Sequence, residues 1–296
     1  MDGGQQQRMK TIVFGANGMA GHMVALYLME QGHEVTGFVK KSNALFPCIE
    51  GNALDTGLVR NVLESTEYDV VINCIGILNK AVDAKLAEGI YINSVLPHLL
   101  EECVEDRKTR VIHISSDCVF TGNTGKYTET SHPDAESYYG RTKALGELGG
   151  GINGKNLTLR TSIVGPELKP DGIGLFHWFM SQSGFVNGFT EVIWSGVTTL
   201  ELAKAIDSAV RQNLTGLYHL VNNEVISKYE LLCLFNQYMN DNRTVIHQNG
   251  SFINDKSLVD TRRELLHQVP SYEVMIKEMA EWIKDHAQLY SQYFRA

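Results

Sequence analysis

The sequence predicts an α/β fold, a doubly wound parallel sheet followed by a smaller mixed C-terminal lobe. Three observations carry that expectation. From Lys10 onward, short β-branched runs alternate with amphipathic stretches of helical period, the pattern of a parallel sheet covered on both faces. A glycine-rich turn joins the first run to the first helical stretch, and the connections are short enough for βαβ units. Beyond Gly165-Pro166 the alternation loosens.

Taken in order, Thr11-Ile12-Val13-Phe14 is the first strand, 19–31 a helix, and 34–39 the second strand after a Gly32-His33 turn. Asp55 can cap a helix running to about residue 65, and 69–72 is a fully apolar buried strand. Residues 90–104 read as mostly helical and 110–114 as the fourth strand. A loop rich in Gly, Thr and Asp spans 121–136, before a helix over 137–148 and a strand over 157–160. An irregular stretch, 167–174, precedes helices from Leu175 and near 199–212, 227–239 and 272–286.

With 296 residues, 43% of them apolar, the chain can bury one large core or two modest ones. Lys plus Arg total 26 against 34 Asp plus Glu, a net charge of −8, so a nucleic-acid partner has no electrostatic support. No apolar run approaches the roughly 20 residues that cross a bilayer, and the first eight residues lack a signal core. A soluble, cytoplasmic protein is expected, with no membrane partner. The five cysteines are odd in number and none forms a C-x-x-C pair, so neither a disulfide framework nor a metal site is read from them.

Gly15-Ala16-Asn17-Gly18-Met19-Ala20-Gly21 is a G-x-x-G-x-x-G turn between strand and helix. Missing Cβ atoms there let backbone N–H groups approach a pyrophosphate at the helix N-terminus, as in a Rossmann dinucleotide site. The position about 20 residues on, where a carboxylate takes the ribose hydroxyls of NAD, holds Gly37, Phe38 and Val39, followed by Lys40, Lys41 and Ser42. Two ammonium groups and a hydroxyl can instead receive a 2′-phosphate, so NADP(H) is expected over NAD(H). Asn52 and Asp55 are placed to flank the adenine.

Tyr139-Gly140-Arg141-Thr142-Lys143 sets a phenol and an ammonium at i and i+4 on one helix face, with the cation able to lower the phenol pKa. Ser115-Ser116-Asp117-Cys118 follows the fourth strand, at the sheet edge that faces ligands. Together with the glycine turn, Ser…Tyr-x-x-x-Lys resembles the short-chain dehydrogenase/reductase family over residues 10–165. The resemblance implies that Tyr139 is the general acid that protonates a carbonyl oxygen, that Lys143 holds the cofactor ribose, and that Ser116 donates a hydrogen bond to the developing alkoxide. It also implies a proton-relay role for Asn93 and places Cys74, Ile75 and Gly76 against the cofactor.

Further segments narrow the branch. Ser116-Asp117-Cys118-Val119-Phe120-Thr121-Gly122, Gly146-Glu147, Arg160-Thr161-Ser162, Gly196-Val197-Thr198-Thr199 and Gly216-Leu217-Tyr218-His219-Leu220 resemble dTDP-4-dehydrorhamnose reductases of the extended, sugar-nucleotide branch. That resemblance implies NADPH-dependent reduction of the 4-keto group of a nucleotide-linked 4-keto-6-deoxy sugar, for polysaccharide biosynthesis. A nucleotide sugar is then the expected partner, with Asp117, Lys256, Arg262 and Arg263 as candidate substrate contacts and a homodimer left open. Residues 1–8 read as a tag remnant or disordered leader, 9–165 as the Rossmann dinucleotide domain and 166–296 as a substrate lobe, part of which, near 196–222, returns to the first domain.

Two alternatives stay open. Cys118 stands where GDP-fucose synthase, an epimerase and reductase, has a proton-shuttling Cys, and His177 is the nearest candidate for the second acid/base that epimerisation needs. A thiol does that work only if its pKa is tuned. Regulatory subunits of methionine adenosyltransferase share the fold as cofactor-binding partners without turnover.

Overall fold

The computed structural model describes residues 8–149 and 154–294; the expected leader lies outside them except for Arg8. Along the chain, β1 (Lys10–Phe14), α1 (Met19–Glu30), β2 (Glu34–Val39), β3 (Cys48–Glu50), α2 (Thr56–Ser65) and β4 (Val70–Asn73) come first. There follow α3 (Asn79–Ala84), α4 (Leu86–Ile90), a π-helical turn (Tyr91–Val95), α5 (Leu96–Cys103), β5 (Arg110–Ile114), a 3-10 turn (Asp117–Val119), α6 (Tyr138–Leu145) and β6 (Leu157–Arg160). The rest comprises β7 (Ile163–Val164), α7 (Leu175–Met180), β8 (Phe185–Phe189), β9 (Val192–Trp194), β10 (Val197–Thr198), α8 (Thr199–Arg211) and β11 (Gly216–His219). It ends with β12 (Ile226–Ser227), α9 (Lys228–Met239), β13 (Val245–Asn249), β14 (Asn254–Asp255), α10 (Tyr272–Asp285) and a 3-10 turn (Ser291–Tyr293).

Seven parallel strands form the central sheet in the order β11-β6-β5-β4-β1-β2-β3. Residue alternation explains why both faces are apolar. Val13 joins Ile72, Ile112 and Leu159 beneath α1 and α8, while Ile12 and Phe14 join Val71 and Val111 beneath α2 and α5. The order reverses at β1 and β4, so their C-terminal ends open a crevice for a ligand. The expected α/β architecture is thus present, and β11 completes the sheet from far along the chain.

Side-chain caps start the helices that matter here. Asp55 accepts from the Leu58 N–H at 3.0 Å to open α2, and Ser137 accepts from Gly140 N at 3.1 Å to open α6. Ser227 and Glu230 form a reciprocal capping box at α9. The smaller lobe contains β12-β9-β14 and the parallel pair β13-β8. The last described residues reach back across the molecule. The Tyr290 hydroxyl meets His22 Nε2 at 2.9 Å, and the Tyr293 hydroxyl meets His177 Nδ1 at 2.8 Å and accepts from Glu167 N at 2.9 Å.

Three elements differ from the sequence expectation. Residues 90–104 are interrupted by the π-helical turn, because Asn93 inside it bonds to the Ile77 backbone. The helix expected over 137–148 ends at Leu145, where Gly146 closes the last turn. Short β3 adds an edge strand beside β2.

Candidate active site

Gly15 turns the chain from β1 into α1 at φ +79°, a left-handed conformation open to glycine. A Cβ on Gly21 would lie 2.2 Å from Gly15 O, so α1 can approach the turn this closely only with glycine there. Met19, half-buried, and Ala20, buried, stand in the first turn of α1, and Gly18 caps it without a side chain, leaving its N–H groups for a ligand. Beyond the turn lies a cavity of about 490 Å³, lined by Gly15, Asn17, Gly18, Lys40, Lys41, Asn52, Cys74, Ile75 and Gly76. Glu88 and Lys169 line it as well, neither singled out from the sequence. Asn17 braces the rim by donating to the Lys41 carbonyl at 2.8 Å and accepting from Asn43.

Ser42 departs from its expected place. Its hydroxyl and its N–H both donate to Glu50 Oε2, at 3.0 and 3.1 Å, and it is not among the cavity-lining residues. Strand β3 thus supplies a carboxylate that takes both donors of Ser42, and the ammonium groups of Lys40 and Lys41, on the cavity lining, are left as the 2′-phosphate candidates.

The reacting groups meet where β5 ends. Ser116 caps the 3-10 turn, accepting from Cys118 N and donating to Asp117 Oδ1, each at 3.1 Å. A Cβ on Gly140 would sit 2.1 Å from the Cys118 carbonyl oxygen, so α6 lies directly on this segment and carries Tyr139 to it. Burial holds the Tyr139 phenol well above the ordinary range, reinforced by Cys118 and Asp117 and opposed by the Ser116 hydroxyl. The phenol is therefore protonated at neutral pH.

Lys143 corrects one expectation. Its Nζ is turned to the sheet, donating to the Ile114 carbonyl at 2.7 Å and facing His113 Nε2 at 3.3 Å, and it is not among the groups that shift the phenol. Burial lowers Lys143 to about 8, against the opposing pull of Glu147 and Cys74. Asn93 is likewise bonded. Its oxygen accepts from Ile77 N, and its NH2 group donates to Ile77 O and Thr142 Oγ1, so both ends of the amide clamp the cofactor loop to α6.

Of the substrate candidates, Asp117 and Lys256 lie in the site. Both act electrostatically on Cys118, which burial raises to about 11. Arg262 does not. It donates to the Thr215 and Leu217 carbonyls, pairs with Glu264 through two nitrogens and stacks over Tyr218, which closes off its guanidinium from a diphosphate. Arg263, exposed, sits in a left-handed backbone position beside it. Lys228 was missed, because a lysine opening an amphipathic helix reads as solvated. Its ammonium lies over the Trp194 ring at 5.1 Å and is influenced by Asp117 and Cys118, with burial lowering it to about 8.

The comparisons with known proteins agree with this geometry. The chain matches the RmlD substrate binding domain family over residues 9–250. It is 30% identical over 236 residues to the "Probable low-salt glycan biosynthesis reductase Agl14" of Haloferax volcanii, covering 74% of this chain and 76% of that protein. It is 24% identical over 245 residues to the methionine adenosyltransferase 2 subunit beta of Xenopus laevis, covering 76% and 70%. Among solved structures, the dTDP-4-dehydrorhamnose reductase of Bacillus anthracis in complex with NADP is similar with a TM-score of 0.79 at 19% identity, covering 94% of this chain and all of that one (100%). A hypothetical dTDP-4-dehydrorhamnose reductase from Sulfolobus tokodaii gives 0.74 at 23%, covering 90% and 98%. These structural likenesses speak for the fold. The family match runs from before β1 to the end of β13, and on that span the chain belongs to the RmlD substrate binding domain family of extended short-chain dehydrogenases/reductases.

Proposed function

We propose that this chain is a cytoplasmic NADPH-dependent reductase acting on the 4-keto group of a nucleotide-linked 4-keto-6-deoxy sugar. One observation carries the reading: a buried, protonated phenol, Tyr139, stands with Ser116 at the sheet edge beside a glycine-turn cleft. The cleft fits a dinucleotide, because its left-handed Gly15, the bare first turn of α1 and the rim lysines match a pyrophosphate and a 2′-phosphate. NADPH, when bound, supplies the hydride. Tyr139 gives its proton to the carbonyl oxygen, and Ser116, turning its hydroxyl proton from Asp117, donates a hydrogen bond to the same oxygen as negative charge develops on it. Lys143, buried behind the cleft wall with its Nζ on Ile114 and His113, is assigned the ribose side of the cleft through its remaining N–H. Lys228 and Lys256, which flank Asp117 and Cys118, receive the anionic substrate. In this reading 9–165 forms the cofactor domain and 166–296 shapes the substrate lobe, with β11 returning to the sheet.

NADPH absorbance recorded with dTDP-, UDP-, GDP- and CDP-linked 4-keto-6-deoxy sugars tests the reading; oxidation with at least one supports it, and none with any of them overturns it. Epimerisation is disfavoured on two grounds. Burial leaves the Cys118 thiol protonated, and both nitrogens of His177 are engaged, by Tyr293 and by the Pro170 carbonyl at 3.1 Å. Deuterium wash-in from heavy water at sugar C3 or C5 would restore it. The similarity to a methionine adenosyltransferase subunit favours a second reading, a cofactor-binding regulatory partner. Cofactor binding with a stable protein partner and no NADPH consumption would establish that one instead.

A further inference from the structure

Groups from β4, β5 and α6 form one hydrogen-bonded row at the end of the sheet. The Ile75 N–H donates to Asn73 Oδ1 at 3.1 Å, Asn73 Nδ2 meets His113 Nδ1 at 3.1 Å, and His113 Nε2 faces Lys143 Nζ at 3.3 Å. Lys143 Nζ also donates to the Ile114 carbonyl. Asn73 and His113 are wholly buried, so solvent cannot relieve a mismatch between donors and acceptors.

Counting protons along the row fixes its state. A backbone N–H only donates, so Asn73 turns its oxygen to Ile75 and its NH2 group to the imidazole. His113 Nδ1 therefore accepts, and a neutral imidazole that accepts through Nδ1 carries its proton on Nε2. That N–H points at Lys143. An ammonium has no lone pair to receive it, whereas an amine has one and still donates to Ile114. To accommodate the ammonium, the His113 proton must move to Nδ1, and the Asn73 amide must turn over and let go of the Ile75 N–H. Ile75 N is 3.2 Å from the position of a Cβ on Gly15, so the released group lies beside the glycine turn. Burial holds His113 well below the usual imidazole range, which keeps the ring neutral through this exchange. The other titratable groups around the row are Cys74 behind β4, Tyr139 on α6, Glu147 beyond α6, and His98 on α5.

We propose that His113 is a positioning residue whose tautomer, transmitted through Asn73, ties the charge of Lys143 to the hydrogen bonding of the Ile75 N–H at the cofactor cleft. The inference rests on the reductase reading only for the task given to Lys143, and its first test uses the free protein without cofactor or substrate.

Histidine 15N resonances recorded from pH 6.5 to 10 read the tautomer directly. At the alkaline end His113 should carry its proton on Nε2; as pH falls through the Lys143 titration near 8, the proton should move to Nδ1 with the ring still neutral. A single tautomer across the range, or conversion straight to imidazolium, overturns the proposal. Asn73→Asp offers acceptors to both neighbours and should hold His113 in the Nδ1–H form at every pH. Lys143→Met removes the ammonium and should hold it in the Nε2–H form, so a folding failure of one variant leaves the other as the test. NADPH binding followed by fluorescence should weaken about tenfold per pH unit above the Lys143 titration in the wild type. In Asn73→Asp that limb should move up by about one unit; an unmoved limb in a folded protein counts against the proposal.

Discussion

At Tyr139, burial and the charges nearby act together against only the Ser116 hydroxyl, and the phenol keeps the proton it is proposed to deliver. Tyr139→Phe should lower turnover by roughly 10²- to 10⁴-fold, the usual worth of a general acid, with NADPH binding retained. Turnover within a few fold of wild type would dismiss the assignment. Lys228 is a half-buried cation above an aromatic ring. Lys228→Met keeps the apolar stem and removes the charge, so KM for the sugar nucleotide should rise about tenfold or more with kcat less affected, since hydrogen bonds to charged groups contribute about 1.5–3 kcal/mol. At the cleft rim, replacing Lys40 and Lys41 together by Ala should erode discrimination between NADPH and NADH by at least about tenfold; unchanged discrimination would move the 2′-phosphate contact elsewhere, with Lys169 the next cation on the cleft wall.

Among the elements, α6 is placed by one close approach. Gly140→Ala would set a methyl 2.1 Å from the Cys118 carbonyl oxygen, so the helix must lift off the segment that carries Ser116. We expect a loss of about 1–3 kcal/mol in denaturant unfolding, as for other overpacked sites, and a fall in turnover with it. The same segments show what sequence can and cannot convey. The glycine turn, the sheet strands and Tyr-x-x-x-Lys are legible because each is local: a period, a spacing or a missing Cβ. The bonds that Asn93, Ser42 and Arg262 make are not legible in this way, because their partners Ile77, Glu50 and the Thr215 and Leu217 carbonyls are set by tertiary placement. Lys228 was overlooked for the same reason, since only the fold brings the first residue of α9 against Trp194 and towards Asp117.

For the molecule as a whole, buried histidines set an acid limit. His22 and His219 are both lowered to about 4, chiefly by burial, so the unfolded chain binds their protons more readily than the folded one. Their contribution is intact above the ordinary imidazole value of about 6.5 and declines as pH falls towards 4, by on the order of 3 kcal/mol for His22. Urea midpoints should therefore drop between pH 6.5 and 4.5, and His22→Gln should flatten part of that drop; a slope identical to wild type would place the acid sensitivity in other groups. His22 matters for a second reason. It sits on α1, directly after the glycine turn, yet its ring is partnered by Tyr290 near the end of the chain, as His177 is by Tyr293. During synthesis the helix that heads the cofactor cleft is made well before these tyrosines, by 268 residues for His22 and Tyr290. The ring nitrogens of His22 and His177 that face Tyr290 and Tyr293 therefore gain these partners only after the chain has been made past residue 293, so the docking of α1 and α7 against this segment is a late event in synthesis.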